Sequence, residues 1–160
     1  TTVEHKLAVL SAIAERFNKE RLTWAVGASL LLYLKGKTDT FHDIDIMVMS
    51  SDIERVKDIM SGLGTIQPPN PNAQYKTKFF IECTVEGVEI DIMAGFAIVN
   101  DGVEYDCSLK ESDIAGSILI NGQRVPLHSL ERWRYYYELM GRTEKAQMIE
   151  APPRRPPVRK

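Results

Sequence analysis

A chain of 160 residues with 44% hydrophobic content can bury one well-packed core and is too short to build two. Its formal charge of −2 gives no overall electrostatic drive toward nucleic acid or an anionic membrane, although a local basic patch could still supply one. No stretch approaches the roughly 18 uninterrupted apolar residues of a membrane-spanning helix, and the first twenty residues lack the compact apolar centre of a signal peptide.

Val3, Leu7, Leu10, Ala14 and Phe17 recur at helical spacing and predict an amphipathic helix over the first twenty residues. Thr23–Val26 reads as a strand ending at Gly27, and Leu30–Leu34 as a buried helix that stops near Gly36. Ile44, Ile46 and Val48 alternate with Asp43, Asp45, Met47 and Met49, as in a strand with one apolar face and one carboxylate face. Ser51 with Glu54 makes a capping-box pattern ahead of a helix through Ile53, Val56, Ile59 and Met60. The Pro/Asn-rich stretch Gln67 to Gln74 is expected as a loop.

Beyond the loop, Lys78–Val85 and Val88–Met93 flank Glu86–Gly87 and predict an antiparallel hairpin. A second hairpin is expected to turn at Asn121–Gly122, joining Gly116–Ile120 to Gln123–Pro126. Leu127, Leu130, Trp133, Tyr136, Tyr137 and Met140 mark a helix that breaks near Gly141, with a shorter one over Thr143–Glu150. The fold class expected is α/β of the α+β kind: a mixed sheet flanked by helices, one domain over residues 1–150. Residues 151–160, rich in Pro and Arg, are expected as a flexible tail. Cys83 and Cys107 lack metal-ligand spacing and read as reduced thiols, so the expected compartment is the cytoplasm.

Chemistry concentrates in three short segments: VGAS at Val26–Ser29, HDIDI at His42–Ile46, and EIDIM at Glu89–Met93. A small-residue turn between strand and helix presents amides and the Ser29 hydroxyl to an anion. Taken alone, that turn is more often an ordinary cap. The aspartates weigh more, because Asp is unfavourable inside strands. Side chains alternate across a strand, so Asp43 and Asp45 project to one side. Asp91, set between Ile90 and Ile92, adds a third carboxylate, and Glu89 shares its face. Three clustered aspartates repel one another by several kcal/mol unless a cation neutralises them, so metal binding is the economical reading.

A small–small–Ser turn, an Asp-x-Asp strand and a distant strand Asp together resemble the nucleotidyltransferase superfamily typified by DNA polymerase beta. The wording WAVGASLLLYLKGKTDTFHDIDIMV is similar to the small bacterial members, including aminoglycoside and lincosamide nucleotidyltransferases and minimal nucleotidyltransferase antitoxins. The resemblance covers residues 22–95 well, and the C-terminal helix only generally. It implies a nucleotidyltransferase fold with a C-terminal helical segment and an NTP donor, ATP among the candidates. Gly27, Ala28 and Ser29 would cradle the triphosphate, and Asp43, Asp45 and Asp91 would hold two Mg²⁺ ions, with Mn²⁺ as a substitute. Asp91 would also help deprotonate the acceptor hydroxyl, and pyrophosphate would leave.

Ala28 departs from the family pattern, which often has a second glycine there. Lys37, between the turn and the Asp strand, is expected to reach phosphates, and Lys35 less so. His42 is expected to orient Asp43 or contact the nucleotide. Lys76 and Lys78 are weaker phosphate candidates. The acceptor is left open among small molecules such as an antibiotic, RNA and protein, and a second subunit or partner protein is expected to wall its side of the cleft. The rival reading is a non-catalytic nucleotide- or partner-binding module of the antitoxin kind.

Overall fold

The computed structural model describes residues 1–69 and 77–158. Among these, five α-helices flank a seven-stranded mixed sheet. Helix α1 (Val3–Lys19) is capped by Thr2, whose hydroxyl accepts from the His5 amide, and buries Val9, Leu10, Ile13, Ala14 and Phe17. Each of the larger apolar side chains contributes about 1.5–3 kcal/mol on burial. Strand β1 (Trp24–Val26) leads through Gly27 into α2 (Ala28–Leu34), then β2 (Ile44–Val48) and α3 (Ile53–Leu63). Strands β3 (Thr65–Ile66), β4 (Phe79–Val85) and β5 (Val88–Ala94) follow. A separate two-stranded ribbon, β6 (Ala97–Asn100) and β7 (Val103–Asp106), precedes β8 (Ile114–Ile120) and β9 (Gln123–His128). Helices α4 (Leu130–Leu139) and α5 (Thr143–Glu150) complete the fold.

The sheet order is β3-β4-β5-β2-β1-β9-β8. Its centre is the parallel pairing of β2 with β5, which sets Ile44, Ile46 and Val48 beside Ile90, Ile92 and Ala94, all buried. Both predicted hairpins form, at Glu86–Gly87 and Asn121–Gly122. At each turn both central residues have positive φ, as the tight turns of twisted hairpins require. The β6–β7 ribbon was not anticipated, although Asp101–Gly102, also with two positive φ values, carried its signal.

Two expectations need correcting. Ser51 does not cap α3: it lies in a 3-10 turn, Ser50–Asp52, and Asp52 is the N-cap, its carboxylate paired with Arg55 at 2.9 Å. Leu127 belongs to β9, where it pairs with Val26 of β1, and the helix begins three residues later behind Ser129, whose hydroxyl accepts from the Arg132 amide. Residues 151–158 lack helix, as expected, but they lie against α2 with backbone bonds from Arg154 to Gly36 (2.8 Å) and from Val158 to Leu34 (2.9 Å). Asn70 to Lys76, within the predicted loop, and Arg159 and Lys160 lie outside the described residues. Cys83 and Cys107 are buried free thiols, both pushed up to about 11 chiefly by burial. No helix among the described residues is long and apolar enough to cross a membrane.

Helix α4 meets β1 at Gly27. A Cβ at that glycine would lie 2.7 Å from the Trp133 indole, so the missing side chain is what lets the ring pack there. Gly27→Ala should therefore destabilise the protein by about 1–3 kcal/mol, the usual cost of overpacking. Urea denaturation with an unchanged m-value checks this, and unaltered stability would mean that the indole moves aside without cost.

Candidate active site

Alternation along β2 buries Ile44, Ile46 and Val48 in the core and turns Asp45 toward a cavity of about 300 Å³. Parallel pairing places Asp91 of β5 directly beside Asp45, and antiparallel pairing places Glu82 of β4 directly beside Asp91. Three carboxylates thus form a row across three adjacent strands. Asp43 sits just ahead of β2 and joins Asp45 and Asp91 in lining the cavity, as do Ala28 and Ser29. Phe80, Met93, Phe96, Trp133 and Tyr137 give the cavity an apolar side. The Gly27 amide donates to the Asp45 carbonyl at 3.0 Å, which ties the turn to the carboxylate strand.

The electrostatics of this row are uncompensated. Asp45 keeps some accessible surface toward the cavity, yet protein encloses its carboxyl group. Burial pushes it well above the ordinary carboxylate range, and Asp91 and Asp43 push it further. Arg142 and Lys145 act in the opposite direction without cancelling the effect. Asp91 is raised to about 7, first by burial, then by Asp43 and Glu82. Glu89, nearly free of burial, is also raised, chiefly by a hydrogen bond with Asp43.

Two cations lie close to these carboxylates. Lys145 Nζ donates to Ser29 Oγ at 3.5 Å, and burial together with Arg142 lowers its proton affinity. Arg142 lines the cavity itself. Both come from the start of α5, far along the chain from the turn they flank. Ala28 lies in the left-handed region at φ 52°, a conformation costing an L-residue roughly 1–2 kcal/mol. Glycine would adopt it freely, which is the physical content of the departure noted in the sequence.

The structure brings Gly27, Ala28, Ser29, His42, Asp43, Asp45 and Asp91 to one place, Gly27 behind the wall and the others lining it. Lys37 is not among them: its Nζ donates to the Ala151 carbonyl at 2.7 Å. Lys35, at the end of α2, and Lys78, its Nζ over the Phe79 ring, do not line the cavity either, and Lys76 falls outside the described residues. Arg142 and Lys145 escaped the sequence reading because no spacing links them to the turn. The break at Gly141 before a short helix was their only trace.

Among the described residues, no group of three or more His, Cys, Asp or Glu side chains is already arranged as a metal cage. The donor chemistry nevertheless fits a hard divalent cation. Asp43, Asp45 and Asp91 offer carboxylate oxygens, and the repulsion among them is what a bound cation would relieve.

The sequence profile of a family described as aminoglycoside-2''-adenylyltransferase matches residues 9–150. No curated protein sequence matches the chain. Among solved structures, a Thermotoga maritima protein provisionally classed as a nucleotidyltransferase is similar at 25% identity, covering 94% of this chain and 93% of its own, with a TM-score of 0.71. The enzyme ANT(2'')-Ia, solved with adenylyl-2''-tobramycin, shares the fold at 13% identity, 91% and 87% coverage and a TM-score of 0.61. So does the lincosamide adenylyltransferase LnuA, solved with lincomycin, at 16% identity, 90% and 96% coverage and a TM-score of 0.60.

A carboxyl that binds its proton more tightly when folded than when unfolded lowers stability as pH rises between the two values. For Asp91 that window runs from about 4, the ordinary value, to about 7. In metal-free buffer, Asp91→Asn should therefore gain stability over the wild type as pH climbs through this window. Paired urea titrations at several pH values read the difference, and a gap that stays constant would place Asp91 at its ordinary value.

Proposed function

Because the chain belongs to the aminoglycoside-2''-adenylyltransferase family, and so to the nucleotidyltransferases, we propose that it moves AMP from ATP to a hydroxyl of a small antibiotic-like acceptor. The observation that carries this reading is one cavity lined by Asp43, Asp45, Asp91, Ser29 and Arg142, with Lys145 behind Ser29 and bonded to its hydroxyl. The carboxylates suit cations, and the hydroxyl and basic groups suit the oxygens of a triphosphate.

In this reading Asp43 and Asp45 hold the metal ions with Asp91. Two Mg²⁺ ions bound there would neutralise the triphosphate and favour the ionised acceptor oxygen. Ser29 donates its hydroxyl to a phosphate oxygen, and Lys145 and Arg142 offset charge on the departing pyrophosphate. Asp91, beside Asp45 on the neighbouring strand, accepts the proton of the acceptor hydroxyl at a carboxylate oxygen. The freed oxygen attacks the α-phosphorus, a new P–O bond forms, and the bond to pyrophosphate breaks. Holding both partners in one cavity supplies the orientation. His42, exposed at the mouth beside Asp43, is placed to contact the nucleotide or steady that aspartate. On the acceptor side, Glu82 and Glu89 add negative charge next to Asp91, which suits a polycationic substrate.

Thermal-shift titrations with ATP, GTP, CTP and UTP, each with and without Mg²⁺, test the donor site. ATP at a hundredfold over its dissociation constant should stabilise the wild type by about 2.7 kcal/mol, with Mg²⁺ required. Asp45→Asn should lose that shift while its metal-free form is at least as stable as the wild type, because a buried like charge is gone. Full Mg²⁺-dependent binding in Asp45→Asn would remove Asp45 from this role, and no shift with any NTP would favour a non-catalytic scaffold. Lys145→Ala should raise the KM for ATP roughly tenfold, the usual worth of one hydrogen bond to a charged group. Steady-state pyrophosphate release with tobramycin or lincomycin as trial acceptor reads it, and an unchanged KM would exclude a phosphate contact.

A further inference from the structure

The segment that delivers Asp43, residues 38–42 between α2 and β2, has no helix or strand of its own. Its hold on the rest of the molecule comes from outside. Arg155 donates through its guanidinium to the carbonyls of Tyr33 and Thr38, the latter at 2.9 Å, and lies 3.9 Å over the centre of the Tyr33 ring. The neighbouring Arg154 pairs with Asp39 at 3.1 Å. Gly36 is bare where this stretch crosses it, for a Cβ there would come within 2.2 Å of the Arg155 carbonyl oxygen. At the other end of the segment, Lys6 of α1 donates to the Phe41 carbonyl at 2.7 Å, and Phe41 packs against Tyr33 with centroids 5.0 Å apart.

We propose that Arg155 is a positioning residue: bridging Tyr33 and Thr38, it fixes the 38–42 segment and so the place of Asp43 on the cavity wall. The inference rests on the reading of Asp43 as a metal ligand given above. Its physical basis is the geometry of arginine, whose Nη2 carries two hydrogens for two carbonyls while the face of the guanidinium covers an aromatic ring. A carbonyl of α2 and a carbonyl of the segment, which has no ladder of its own, gain a shared donor, and the two ends of the segment are then pinned by different elements. The stretch 151–158 is thereby part of the site's scaffolding, although none of its side chains lines the cavity.

The test uses the full chain with Arg155→Ala and Arg155→Lys, read by amide hydrogen exchange and by Mn²⁺ binding through electron paramagnetic resonance. In Arg155→Ala, exchange should accelerate about tenfold or more at residues 38–44 and stay unchanged in α1 and β9. Mn²⁺ affinity should fall by about 10–100-fold, the usual cost of losing a group that orients a metal ligand. Arg155→Lys keeps a cation but not the planar group that stacks on Tyr33 while donating to both carbonyls, and should fall between the wild type and Arg155→Ala. Unchanged exchange at residues 38–44, or acceleration spread evenly through the fold, overturns the proposal. So does accelerated exchange with Mn²⁺ affinity intact. Failure of the wild type itself to bind Mn²⁺ overturns the metal reading instead, and the exchange data then still decide whether Arg155 holds the segment.

Discussion

Asp45 and Asp91 stand side by side because β2 and β5 run parallel in register, and the rest of the site answers to that adjacency. Two carboxylates so placed, one enclosed by protein, repel each other in a medium that screens them poorly. Their proton affinities rise accordingly, and Asp43 and Glu82 increase the strain on them. A fold keeps such an arrangement only if its surroundings over-determine it, and here the apolar face of both strands does so. Ile44, Ile46, Ile90 and Ile92 are fully buried, and moving either strand by one residue would turn them outward. The hydrophobic core thus holds in place a cluster that electrostatics alone would disperse.

The same frame positions the rest of the cavity. The Gly27 amide bonded to the Asp45 carbonyl fixes how far the turn stands from the carboxylates. Trp133 packs directly on Gly27, so α4 is locked to the turn, and the short connection at Gly141 leads into α5, whose Lys145 reaches Ser29. That path sets Lys145 beside Ser29 and brings Arg142 to the rim. Carboxylates and a guanidinium lining one cavity of about 300 Å³, with a lysine close behind, are the pattern expected of a site that binds a charged donor through metal ions. The left-handed Ala28 at the junction shows strain held where the chain turns from strand to helix.

Much of this was legible in the residues themselves. Alternation around Asp45 and Asp91 marked both strands, Glu86–Gly87 and Asn121–Gly122 marked two hairpins, and the apolar spacing of the first twenty residues marked α1. The VGAS, HDIDI and EIDIM segments carried the resemblance to nucleotidyltransferases, and the family match agrees with it. Local signals misled where tertiary contacts outweighed them. Ser51 and Glu54 had the spacing of a capping box, but Asp52 took the cap position and Arg55 took its carboxylate. Leu127 fitted the helical stripe, yet pairing with Val26 kept it in β9.

What the sequence determined by itself is therefore most of the helices, the strands at the centre of the sheet and the identity of the acidic residues, because periodicity and unfavourable buried charge are written in neighbouring positions. The tertiary structure alone decided which cations face them. Lys37 lay close to the aspartates along the chain and turned away to the Ala151 carbonyl, while Lys145, 116 residues from Ser29, came within 3.5 Å of it. Only folding also made residues 151–158 part of the frame around Asp43, since Arg155 meets Thr38 across 117 positions. Such contacts have no period and no spacing. They follow from how helices pack on a sheet, and that is settled by the whole core at once.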